Sequence, residues 1–136
     1  MSTNTTLPLR AVMIALGLVA VSAAAAQDRT WELQLHPTPG APTHCPYADM
    51  RIEHNSSTGE GSVLMRLPSG LTVSGAFTSK EGSFESQAQV SGGGVSNGNA
   101  VTISGTLRAG GMIHYRNPRP GGCSYDGQLP ARMTSN

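Results

Sequence analysis

One pattern, written twice 30 residues apart, constrains this chain more than any other feature. Leu71-Thr-Val-Ser-Gly-Ala-Phe77 and Val101-Thr-Ile-Ser-Gly-Thr-Leu107 agree as Thr72/Thr102, Val73/Ile103, Ser74/Ser104, Gly75/Gly105 and Phe77/Leu107. Each copy alternates apolar and polar residues. Each then passes through a short turn, Lys80-Glu-Gly82 or Ala109-Gly-Gly111, into a second alternating segment, Ser83–Val90 or Met112–Arg116. Side chains two residues apart share a face only when the backbone is extended, so each copy predicts a β-hairpin. Gly75 and Gly105 fall on the apolar parity, which predicts a tight bend there or room for a neighbouring aromatic ring.

The rest of the chain repeats this grammar. Thr30–His36 places Trp31, Leu33 and Leu35 on one face, Met50–His54 alternates again, and Ser62–Leu67 follows the turn Asn55–Gly61. Proline removes ladder donors, so His36–Pro46, with four prolines, must be irregular, as must Asn117–Gly122. Cys123–Met133 reads as a last strand with a frayed tail at residues 134–136. Outside the first 26 residues, no ten-residue stretch keeps a helical period without an interrupting Gly or Pro. Seven or eight short strands with regular turns predict an all-β domain, a small antiparallel barrel-like meander, with a β-sandwich as the alternative.

Residues 1–26 read as an export signal. Arg10 precedes the apolar run Ala11–Val21, and Ala24-Ala-Ala26 offers small residues for cleavage. The run is Ala-rich and short for a membrane span, and no cysteine follows it to carry a lipid. The expected mature chain, residues 27–136, suits one periplasmic or extracellular domain with no transmembrane segment.

A thin-cored exported domain gains from a covalent staple, and Cys45 and Cys123 are the only cysteines. A bridge across 78 residues contributes about 4.5 kcal/mol by chain entropy. A metal-thiolate or redox site needs closer or more numerous cysteines, and no cofactor is expected.

After residue 26, eight Lys/Arg balance eight Asp/Glu, which disfavours nucleic-acid binding. The C-terminal part is nevertheless basic, with Arg108, Arg116, Arg119 and Arg132 against Asp126 alone. Arg116 and Arg119 bracket a Pro-rich loop, and the hairpin would bring Arg108 near them to grip an anionic partner.

Cys45-Pro-Tyr47 and Cys123-Ser-Tyr125 match in spacing, so a bridge would let Tyr47 and Tyr125 flank the sulfurs, with His44, Ser124 and Asp126 nearby. Ring faces and hydroxyls make a surface that suits sugars or peptides. An internal pocket would instead be lined by Trp31, Phe77 or Tyr115. His36, His44, His54 and His114 lack a metal-ligand spacing, and His54 and His114 are expected on solvent-facing positions. No Gly-x-Ser-x-Gly elbow or phosphate loop is present.

The layout is similar to that of many small extracytoplasmic bacterial β-proteins. Biotin-binding barrels share the glycine-punctuated hairpins, but this chain has one tryptophan and no aromatic box. Small β-barrel inhibitors of secreted proteases share its size without their motifs. Likeness of layout transfers no activity. The expectation is a non-catalytic exported domain that binds a small molecule, glycan or protein. The alternatives are a structural or envelope-interaction protein, acting through sheet edges or the Arg-rich part, and a protease inhibitor.

Overall fold

The computed structural model describes residues 28–92 and 100–132. The expected export signal, most of the glycine-rich connection after Ser91 and the tail lie outside the described residues.

The described chain forms eight strands: β1 (Asp28–Pro37), β2 (Ala48–Asn55), β3 (Glu60–Arg66), β4 (Thr72–Thr78), β5 (Ser83–Ser91), β6 (Ala100–Thr106), β7 (Met112–Arg116) and β8 (Tyr125–Gln128). Each pairs antiparallel with the next, and β1 pairs with β8, so the meander closes into a barrel. One continuous ring of pairing excludes the two-sheet alternative. The closing seam is short, His36 opposite Asp126 and Pro37 opposite Tyr125. Among the described residues, no helix is long and apolar enough to cross a membrane.

The two matched stretches are β4–β5 and β6–β7. The first turns through Glu81 and Gly82, both at positive φ (54° and 82°), while Lys80 and Ser83 exchange backbone hydrogen bonds of 2.8 and 3.0 Å. Positive φ at both central residues matches the right-handed twist of the strands. The last strand is shorter than expected. Pro130 cannot donate to a ladder, the Leu129 N–H turns to the Gly111 carbonyl (2.8 Å), and the Ser124 carbonyl accepts from Thr38 in the facing loop (3.0 Å).

Inward positions alternate with outward ones. In β5, Phe84, Ser86, Ala88 and Val90 are buried and every residue between them is exposed. The core runs around the ring through Trp31, Leu35, Met50, Ile52, Val63, Met65, Val73, Phe77, Ile103, Ile113, Tyr115 and Tyr125. Glycines on this inward face make room for neighbours, but at Gly75 and Gly105 the neighbour is not an aromatic ring. A Cβ on Gly75 would meet Ser86 and Ala88, and one on Gly105 would meet Ile113 and the Met112 carbonyl, so neither faces an aromatic ring. The glycine that accommodates a ring is Gly61, under Phe77.

The up-and-down path sorts the connections by end. Loops 38–47, 67–71 and 117–124 lie at one end, which carries the disulfide; the turns 56–59, 79–82 and 107–111 lie at the other, near Trp31.

Candidate functional site

At the disulfide end, Cys45 and Cys123 are bridged, with Cα atoms 5.7 Å apart, joining the two irregular loops. The Pro-rich segments could form neither ladder nor helix, so this bridge and the Thr38–Ser124 bond tie the two loops to each other. The His44 ring nitrogen lies within 4.8 Å of both sulfurs. Bridged sulfurs are not thiolates, which leaves His44 as the sole metal donor of that group.

Tyr47 is 58% exposed and meets the His36 ring edge-on, with centroids 4.8 Å apart at 81°. His36 is the β1 partner of Asp126 in β8, and Asp126 is the partner of His114 in β7. Tyr47, His36, Asp126 and His114 thus form one outward row across four neighbouring segments. Asp126 is the hub. His114 Nδ1 lies 2.7 Å from its Oδ1, and Arg116 Nη2 donates to the same oxygen at 2.9 Å. Arg116 Nη1 donates to the Tyr115 and Tyr125 carbonyls at 3.0 and 2.9 Å, so the backbone of β7 and β8 fixes its guanidinium in place. Burial works against a charged Asp126, but the hydrogen bonds and charges of His114 and Arg116 outweigh it and lower its pKa.

The predicted site residues divide between surface and interior. Tyr47, His44, Arg116 and Arg119 are exposed at the disulfide end. Tyr125 is 1% exposed and Tyr115 5%; their rings pack edge to face inside the barrel with centroids 5.5 Å apart. Tyr125 therefore cannot present a ring beside Tyr47, because its parity on β8 points inward. Burial raises the Tyr125 pKa and, with the Tyr125 phenol beside it, pushes Tyr115 to about 12. Trp31 is buried near the opposite end. Arg108 also lies at that opposite end, on the β6–β7 turn, and not beside Arg116 and Arg119.

His54 is a second correction. It shares the inward parity of Met50 and Ile52, and its ring stacks between Trp31 (6.5 Å, 26°) and Phe77 (6.1 Å, 25°). Nε2 is 2.9 Å from the Ser79 hydroxyl, while Nδ1 is buried without a partner. Desolvation, helped by the Arg29 charge, lowers the His54 pKa.

A cleft of about 580 Å³ crosses the outer side of β1–β3 between Glu32, Asp49, Arg51 and Arg66, and none of the predicted site residues lines it. Sequence reasoning missed the partnership of His36, Asp126 and His114, because it depends on register between strands far apart in the chain. The available signal was that all three occupy polar positions of alternating segments. No protein-family model, curated protein or solved structure matches the chain.

Proposed function

We propose that this protein is a small exported, non-catalytic binding domain, periplasmic or extracellular, that holds a glycan on its outer face at the disulfide end. The observation that carries this reading is the exposed Tyr47 ring, braced edge-on by His36 in one row with the Asp126–His114–Arg116 network. A ring face stacks on the apolar side of a sugar, while fixed carboxylate, imidazole and guanidinium groups meet its hydroxyls. Disulfide-tied loops lower the ordering cost of binding.

Other readings have less support. The inward positions that would line a pocket, Trp31, Phe77 and Tyr115, are buried in the core. The meander closes through β1 and β8, so strand addition would be confined to the part of β1 before the His36–Pro37 seam. Among the described residues the exposed large hydrophobics are Tyr47 and Met112, too few for the apolar centre of a stable protein interface. His114 and Asp126 are within hydrogen-bond reach, as an acid–base pair requires. However, Arg116 pins the same carboxylate oxygen, and Ser104, the strand neighbour of His114, makes no hydrogen bond to it.

An array of neutral, amino and uronic-acid saccharides tests the reading. The wild-type protein binds a subset, and Tyr47→Ala loses at least about tenfold in affinity with an unchanged melting temperature. Absence of any saccharide binding, or equal binding by Tyr47→Ala, would overturn it.

A further inference from the structure

Three arginines gather at the end of the barrel remote from Tyr47. Arg29 opens β1, Arg108 sits on the β6–β7 turn, and Arg132 follows β8; all three are exposed and border one cleft of about 550 Å³. Buried Trp31 and Leu107 contribute to its lining, and among the described residues no carboxylate does. The cleft has a structural origin. β8 ends at Gln128 and β1 pairs with it only at His36 and Pro37, so the seam between them opens toward Asp28.

Arg51 bridges Glu32 and Glu53, and Arg116 bridges Asp126, whereas Arg29, Arg108 and Arg132, like Arg66 on the outer face, form no ion pair or side-chain hydrogen bond among the described residues. What sets the three apart is that they border one cleft together. Like charges gathered on one cleft repel, and nothing in the fold requires three of them there. Arg29 also borders a neighbouring cleft with Asp28, Glu53 and Glu60, so Arg108 and Arg132 carry the larger share of the unbalanced charge.

We propose that this cleft is an anion site for a phosphate group. Guanidinium forks match phosphate oxygens in pairs, and convergent forks suit a group with several anionic oxygens better than a single carboxylate. The volume falls in the range of small-ligand sites, and the Trp31–Leu107 floor lowers the local dielectric beneath the charges. The phosphate belongs either to a lipid headgroup or to a free phosphorylated solute. This site is independent of the glycan face: it lies at the other end and shares no residue with it.

Trp31, the only tryptophan, is a built-in reporter. The experiment titrates the whole protein with inorganic pyrophosphate, and separately with phosphatidylcholine vesicles with and without phosphatidic acid. Binding is followed by Trp31 fluorescence and calorimetry, with chloride as the control anion. Saturable binding to pyrophosphate is expected, weakened by about tenfold in Arg108→Gln and again in Arg108→Gln/Arg132→Gln, and unchanged in Arg66→Gln. Binding to phosphatidic acid vesicles but not pyrophosphate assigns the site to lipid headgroups, and the reverse assigns it to soluble phosphates. No binding in either arm overturns the proposal. So does binding that the double variant retains, or that Arg66→Gln loses equally, since each would mean that the cleft is not the site.

Discussion

Tyr125 carries a hydroxyl into the barrel interior, where it meets no hydrogen-bond partner among the described residues. A buried unpaired hydroxyl costs more than the same ring without it, so Tyr125→Phe should raise the unfolding free energy by about 1 kcal/mol in a urea titration. His54 makes the opposite kind of demand. Its pKa lies below the ordinary 6.5 in the folded protein, so the unfolded chain takes up the proton first as pH falls. The stability that depends on neutral His54 is complete above about pH 6.5 and is lost below it. Urea midpoints at pH 7.5 and 5.5 should therefore diverge in the wild type, and the difference should shrink in His54→Phe. The inward direction of His54 was legible from the parity of Met50 and Ile52. The expectation of a solvent-facing imidazole assigned His54 to the polar parity of its strand, whereas it shares the parity of Met50 and Ile52 and stacks between Trp31 and Phe77.

At the scale of elements, alternation and turn chemistry carried most of the fold. The β4–β5 and β6–β7 hairpins follow directly from the duplicated pattern, since apolar residues two apart must share a face. The inward glycines were harder to interpret. An unoccupied Cβ position states that something approaches closely without saying what, and register alone determines that Ser86 meets Gly75 while Phe77 meets Gly61. A Cβ on Gly61 would also lie 2.5 Å from the Glu53 carbonyl oxygen, which belongs to a paired strand and cannot yield cheaply. Gly61→Ala should cost about 1–3 kcal/mol by thermal denaturation. Glu81 holds a left-handed conformation that Asn or Gly adopts more readily, so Glu81→Asn should stabilise the hairpin by up to about 1 kcal/mol.

For the whole molecule, ring closure and the disulfide do different work. Closure joins β1 to β8 through two residue pairs, while the Cys45–Cys123 bridge fixes the loops above that seam across 78 residues. Cys45→Ser/Cys123→Ser should lower stability by up to about 4.5 kcal/mol and expose segment 38–47 to proteolysis. The spacing Cys-x-Tyr around both sulfurs was visible in the sequence. Its consequence was not, because Tyr47 precedes β2 and points outward, whereas Tyr125 opens β8 and points inward. Which charges meet depended on closure only for His36 and Asp126; Arg108 and Arg116 lie at opposite ends of one hairpin because the first is on its turn and the second ends β7.

The central proposal is that glycan recognition takes place on the outer face at the disulfide end while the interior only packs. Backbone and methyl NMR of the labelled protein, titrated with the saccharide that binds best on the array, tests it most directly. Shifts confined to Tyr47, His36, His114, Arg116 and Asp126, with the methyls of Ile103, Val73 and Ile113 unmoved, are the predicted result. Shifts centred on those interior methyls would contradict it.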